Sequence, residues 1–203
     1  MTLALIDYGA GNLHSVHNAL KAAGAADVHV TSDPDIVAKA DRIVLPGVGA
    51  FAHCMEALSA IDGMIAAMEQ RVRAEARPFL GICVGMQLLA EEGVEHGSTR
   101  GLGWINGTVR AIVPAAGLKI PHMGWNDVMP REGAPLLTQG EAYFLHGYHF
   151  DARDADDVLA TTNHGGPLVA AVGRDNVMGV QFHPEKSQTY GIDFLKRFLE
   201  WMP

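Results

Sequence analysis

Cysteine is scarce. The 203-residue chain has only Cys54 and Cys83, too few for the disulfide framework that staples small secreted domains, and this fits a reducing compartment. Charge is sparse as well: 19% of residues are charged, and the 15 Lys plus Arg fall short of the 23 Asp plus Glu, leaving a formal charge of −8. That deficit of cations disfavours nucleic acid and anionic membrane surfaces, both of which select clustered Lys and Arg. Long apolar runs are missing too. The longest, residues 79–90, carries two glycines and Gln87, well short of the ~18 consecutive apolar residues of a membrane span. The start MTLALIDYG has no cationic stretch ahead of its short apolar run, so no secretory signal is expected and a cytoplasmic chain is. What the chain does have is 48% hydrophobic residues, enough for a core, and at this length it can bury about 70% of the surface its unfolded form exposes. With roughly 150 residues per domain as a guide, and no repeat or linker in the sequence, a single domain over 1–203 is expected.

The apolar segments alternate between strand and helix texture. Residues 3–6 (LALI) end at Asp7, Gly9 and Gly11, after which Leu13, Val16 and Leu20 fall at helical spacing until Gly24. Residues 28–31 form a second strand, Pro34 starts a helix, and 42–45 (RIVL) are a third strand running into PGVGAF. Residues 52–74 are helix formers with Gly63 as a break; 78–82 are a fourth strand, followed by a helix from Cys83 to near Gly93. Such alternation builds βαβ units and a parallel sheet whose strands, covered on both faces, are apolar throughout. After about residue 103 the pattern changes to short β-prone runs at 108–113, 143–145, 158–162, 168–172 and 177–182, with a last helix over 192–201. The expected fold is α/β: an open, mostly parallel wound sheet with flanking helices and added antiparallel strands in the second half.

Gly81-Ile82-Cys83-Val84-Gly85 sets a cysteine between glycines where an apolar strand enters a helix. This is the nucleophile-elbow pattern with Cys for Ser: small neighbours allow a sharp turn that projects the side chain from the sheet, and the helix N-terminus favours thiolate. The competing reading is a small buried hydrophobe, which is the better one for Cys54, since it lacks this frame. A cysteine nucleophile needs a base, and the base needs an orienter. His183 follows an apolar strand and begins His183-Pro184-Glu185; proline holds the preceding residue extended, and Glu185 can receive the ring N–H. A solvated His-Pro turn is the alternative when that tripeptide is taken alone. Donors for an oxyanion are found in the N–H of Val84 and in the glycine-rich loop Pro46-Gly47-Val48-Gly49, where Val48 and Gly49 are the candidates.

Other features carry less. Asp7-Tyr8-Gly9-Ala10-Gly11-Asn12 lacks the third glycine of a dinucleotide loop, so no nucleotide is inferred. His14/His17 and His146/His149 have no Cys or carboxylate at metal spacing and are read as solvated or core histidines; no metal or cofactor is expected. His122-Met123-Gly124-Trp125-Asn126 puts large amphipathic residues in a proline-bounded loop, as interface anchors often are, with packing beneath the loop as the competing account.

The segments IDYGAGNLHSV (6–16), LPGVGAF (45–51), GICVGMQLL (81–89), GLGWI (101–105), KIPHMGWN (119–126), YFLHGYHF (143–150) and GVQFHPEKS (179–187) together resemble the class I (triad) glutamine amidotransferases. KIPHMGWN and IDYGAGN narrow the resemblance to the glutaminase subunits of histidine biosynthesis. It implies that Cys83 attacks the side-chain amide of glutamine, that His183 moves the proton to departing ammonia, and that Glu185 orients the ring. It also implies that Gln87 and Glu95 hold the amino-acid end of the substrate, helped by backbone at Gly147 and Tyr148. The family commonly has serine where this chain has Gly147, so a hydroxyl contact is not expected there. Ammonia in neutral water is mostly ammonium, a non-nucleophile, so its release is useful only when it passes straight to an acceptor site. The resemblance implies a (β/α)8-barrel cyclase as partner in a heterodimer, with Asn12, Met123, Trp125 and Lys186 at the interface and the 46–49 loop presenting the wrong peptide face until the partner's ligand binds. Rival readings are a subunit serving anthranilate or pyridoxal phosphate synthase, which would lack KIPHMGWN, and a non-catalytic subunit that only positions a partner.

Overall fold

The computed structural model describes residues 1–113 and 117–203. Its first half alternates as the apolar pattern requires: β1 (Thr2–Ile6), α1 (Leu13–Ala22), β2 (Asp27–Thr31), α2 (Pro34–Val37), β3 (Arg42–Gly47), α3 (Phe51–Ser59), α4 (Met64–Met68) running into a π-helical turn, and β4 (Phe79–Cys83). The second half is richer in strand: α5 (Val84–Gln87), β5 (Glu92–Gly93), β6 (Thr99–Arg100), β7 (Gly107–Ala111), β8 (His122–Pro130), β9 (Gly140–His146), β10 (Tyr148–Ala152), β11 (Val158–Asn163), β12 (Pro167–Arg174), β13 (Val177–Val180) and α6 (Gln188–Glu200). Nine strands form one sheet in the order β2-β1-β3-β4-β13-β12-β11-β8-β9, and four form a second, β10-β7-β5-β6.

Strands β2, β1, β3, β4 and β13 pair in parallel; every pairing from β13 through β12, β11, β8 and β9 is antiparallel. The expected α/β architecture is thus present, its parallel half five strands wide. Strands β3, β4 and β13 are buried along their whole length, as strands covered on both faces must be. Helix α1 turns Val16, Ala19 and Leu20 inward, and α6 turns Phe194, Leu195 and Phe198 inward, with the Phe194 ring edge-on to Phe182 at 5.6 Å.

Two expectations fail for identifiable reasons. The helix after Cys83 stops at Gln87 rather than near Gly93. The carbonyls of Leu88, Leu89 and Ala90 instead accept from the N–H groups of Leu102, Trp104 and Gly103, so a crossing loop replaces the helical ladder. The segment 122–126, read as a loop, lies inside the nine-residue strand β8. Its period-2 alternation is real, but the inward positions are His122, Gly124 and Asn126, so the inner face is not written in apolar residues.

The end of β4 lies against β3 with no room for side chains. A Cβ at Gly85 would run into the carbonyl of Leu45, and one at Gly81 into the carbonyl of Gly85. Gly85→Ala is therefore expected to lower unfolding stability by ~1–3 kcal/mol or more, the usual range for overpacking, as measured by urea denaturation.

Candidate active site

The register of three neighbouring parallel strands builds the site. Gly47 of β3 lies beside Cys83 of β4, and Val180 of β13 lies beside Ile82, so the chain leaving β13 carries Gln181 and His183 past the cysteine. Cys83 has φ 54° and ψ −111°, a conformation that a non-glycine residue holds only when its surroundings impose it. Here the neighbouring glycines and the β3 backbone do so. Leaving β13, His183 is held by its N–H to the Tyr143 carbonyl at 2.9 Å. Pro184-Glu185-Lys186 then forms a short 3-10 turn that brings Glu185 Oε1 to 2.8 Å from His183 Nδ1. Gly191 of α6 allows that turn to pack close: a Cβ there would meet the Pro184 carbonyl.

Cys83 and His183 are almost fully buried, at 3% and 2% exposure, yet both line a cavity of about 300 Å3 together with Val48, Gly49, Val84, Gln87, Glu95, Leu145, Gly147, Tyr148 and Lys186. That volume sits at the small end of ligand sites. Burial alone pulls the His183 pKa down, but hydrogen bonds to Cys83 and Glu185, and the charges of both, outweigh it and push the ring up to about 10. The imidazolium is the favoured form between a sulfur and a carboxylate. With α5 only one turn long, the helix-terminus support expected for the sulfur is slight. What touches the sulfur is the Gln181 amide, whose Nε2 donates to Sγ at 3.6 Å, and the Leu145 carbonyl, which Sγ faces at 3.9 Å; the His183 ring lines the same cavity. Sequence reasoning did not single out Gln181, although a glutamine closing the apolar run of β13 was the available signal.

The other candidates are placed as follows. Gln87 Nε2 donates to the Tyr148 carbonyl at 3.1 Å and to Gln181 Oε1 at 2.9 Å. Glu95 Oε2 accepts the N–H of Phe51, the first residue of α3, at 2.8 Å. In the 46–49 loop the Pro46 carbonyl accepts from the Tyr8 hydroxyl at 2.7 Å and the Val48 carbonyl from the Cys54 thiol at 3.4 Å; Gly49 has φ +103°. Burial raises the Cys54 pKa, in keeping with a structural thiol. Asn12 is half-buried and Lys186 is exposed, its ammonium 5.7 Å from the Tyr143 ring. Met123 and Trp125 stand 66% and 47% exposed on the outer face of β8. Among the described residues no group of three or more His, Cys, Asp or Glu could hold a metal ion, and no helix is long and apolar enough to cross a membrane.

This site and fold define a class. The chain belongs to the class I glutamine amidotransferase family, whose profile matches residues 4–201. It is 61% identical over 206 residues to "Imidazole glycerol phosphate synthase subunit HisH" of Zymomonas mobilis, covering 100% of this chain and 97% of that one. It is 53% identical to the protein of the same name from Rhodospirillum rubrum, with both chains covered completely. Among solved structures, one titled "Crystal structure of glutamine amidotransferase" superposes with a TM-score of 0.77 at 21% identity, over 98% of each chain. The PurLQS structure from Thermotoga maritima superposes with a TM-score of 0.71 at 18% identity, over 98% of this chain and 95% of that one.

A Cβ at Gly147 would meet only Ile120 Cγ2, at an ordinary 3.7 Å, so Gly147→Ser is expected to change stability by less than about 0.5 kcal/mol in the same urea assay. His122 and His146 are not solvated: burial pulls their pKa values down to about 4 and about 3, helped by neighbouring histidines. They fold neutral, and the unfolded chain regains protons below its ordinary value of about 6.5. Their contribution is therefore full above that pH and is lost as pH falls toward 4. Calorimetry is expected to find proton uptake on unfolding near pH 5, smaller by about one proton in a variant lacking either ring.

Proposed function

We propose that this chain is the ammonia-generating subunit of an imidazole glycerol phosphate synthase, hydrolysing L-glutamine to L-glutamate through Cys83, His183 and Glu185. One observation carries the reading: a cysteine held at positive φ and a histidine bonded to a buried carboxylate line a cavity together with Gln87 and Glu95. In the proposed reaction the Cys83 sulfur attacks the side-chain carbonyl carbon of glutamine. The C–O π electrons move to oxygen, which the N–H of Val84 and the Val48-Gly49 segment stabilise. The His183 imidazolium then gives its proton to the amide nitrogen as the C–N bond breaks, releasing ammonia and leaving a glutamyl thioester. His183, now neutral, takes a proton from water as that water attacks the thioester. Glutamate leaves, and the proton stays with the sulfur–imidazole pair. Glu185 fixes the tautomer and steadies the charged ring. The Glu95 carboxylate suits the substrate's ammonium group, and so does Gln87 Oε1, since both Gln87 amide hydrogens go to Tyr148 and Gln181; the Gly147-Tyr148 backbone helps hold the same amino-acid end. We read residues 1–203 as a single catalytic unit because the described core runs without a break from Leu3 to Leu199.

The ammonia needs a recipient, and the surface beside the cavity is suited to hold one. Met123 and Trp125 project from β8, with Leu145 of β9 paired beside Met123. Large, exposed apolar and aromatic side chains around a site mouth are the composition of an interface centre. The proposed partner is a (β/α)8-barrel cyclase bound through this face, Asn12 and Lys186, which uses the ammonia to make imidazole glycerol phosphate and AICAR. A non-catalytic role is disfavoured by the imidazolium poised at the sulfur.

Cys83→Ala is expected to abolish glutamine-dependent turnover of the complex while leaving the ammonia-dependent reaction within about twofold, since the cyclase transition state is untouched. Parallel assays with glutamine and with ammonium salts check this. Equal loss of both activities would sink the assignment.

A further inference from the structure

Two buried histidines lie outside the triad: His122 and His146 are 3% and 6% exposed and face each other across β8 and β9. Their hydrogens can be assigned one by one. The Tyr148 carbonyl can only accept, so His146 Nδ1, 2.9 Å away, donates to it. A neutral ring then offers a lone pair at Nε2, and His122 Nδ1, 2.9 Å from it, must donate. That leaves His122 Nε2 as acceptor of the Asn126 amide at 3.0 Å. The Asn126 amide cannot turn over without loss, because its Nδ2 also donates to the Asn163 carbonyl at 2.8 Å and its Oδ1 accepts from the Asp127 N–H. The His122 ring is clamped as well, stacked on Phe144 at 4.8 Å and on His164 at 4.3 Å.

This chain of bonds reaches the glutamine cavity, whose wall His146 itself joins. The Tyr148 carbonyl accepts a second bond, from Gln87. The other hydrogen of that Gln87 amide goes to Gln181, whose own amide donates to the Cys83 sulfur. One polar line therefore runs from Asn126, on a strand whose outer face carries Met123 and Trp125, to the sulfur. A merely structural pair at this cross-strand position would be as well served by two apolar rings, since buried polar groups are costly unless every bond is made.

We propose that His122 and His146 are positioning residues for glutamine hydrolysis: their fixed relay holds the Tyr148 peptide and the Gln87 amide in place, and through Gln181 it sets the hydrogen bond received by the Cys83 sulfur. This rests on the glutaminase reading above.

The test uses the complex with the cyclase subunit and three variants. His122→Phe keeps the ring stack and removes both nitrogens. His122→Asn returns a donor near the place of Nδ1. Asn126→Asp breaks the relay from its half-buried end by setting an acceptor against His122 Nε2. The expected result is a KM for glutamine raised about tenfold in His122→Phe and Asn126→Asp, with kcat within about threefold. Iodoacetamide labelling of Cys83, followed on its own peptide by mass spectrometry, should change rate at least about twofold in the same two, and His122→Asn should recover most of both effects. The proposal is overturned if folded His122→Phe or Asn126→Asp matches the wild type in KM and labelling, or if His122→Asn is as impaired as His122→Phe, which would mean that ring packing alone matters. Should His122→Phe fail to fold, Asn126→Asp and His122→Asn decide the matter. Failure of the glutaminase reading looks different: a wild-type complex that releases no glutamate.

Discussion

The closeness of β4 to β3 at their C-terminal ends is the constraint on which the site depends. Gly81 and Gly85 bracket Cys83, and Gly47 faces it across the strand pair; a Cβ at Gly47 would collide with the Tyr8 hydroxyl and the Gly85 nitrogen. With these three side chains absent, the chain can leave β4 through a residue at positive φ and present the sulfur to the cavity instead of to the core. The strain stored there is of order 1–3 kcal/mol. It is held by backbone pairing on both flanks, from β3 on one side and β13 on the other. The same pairing that enforces the elbow delivers Gln181 and His183, so the nucleophile and its proton donor are placed by one set of sheet hydrogen bonds.

Much of this was legible because the physics is local. An apolar run that ends in small residues, a proline that fixes the residue before it and a glycine-rich strand exit each write their geometry into a few adjacent positions. So the elbow, His183-Pro184-Glu185 and the 46–49 loop all stood out in the sequence. What stayed hidden depends on distant partners. Helix α5 is cut short by N–H groups arriving from residues 102–104, and no feature of residues 84–93 announces them. Strand β8 was hidden for another reason: its inward face pairs polar groups with polar groups, and hydrophobic alternation is blind to a buried face made of His122 and Asn126. Gln181 falls between these cases. Its position in an apolar strand was visible, but its meaning required knowing that Cys83 would lie beside it.

The buried polar groups separate into two kinds. Asp157, whose carboxylate takes two bonds from the exposed Arg174, stands away from the cavity and is a purely local pair. The groups around Cys83 are different, because almost every one of them bonds to another member of the site or to the 46–49 loop. Low local polarity strengthens such bonds and raises the cost of breaking any one of them. A cavity wall built this way resists small displacements, which suits a reaction whose rate falls steeply when reacting atoms are misplaced by an ångström.

Charge at the site fits the proposed direction of proton flow. A buried carboxylate, Glu185, lies at 2.8 Å from the imidazole, and its second oxygen, Oε2, is buried with no partner. An unpaired oxygen this deep is expensive if the carboxylate faces a neutral ring, and far less so beside an imidazolium, whose charge reaches both oxygens. Glu185 therefore favours the protonated ring, and so does the sulfur on its other side. Once the ring gives its proton to departing ammonia the sulfur is acylated and uncharged, so Glu185 is the neighbour that acts to restore it. The nearest fresh source is the water that hydrolyses the thioester, so the electrostatic demand that readies the first half of the reaction also drives the second.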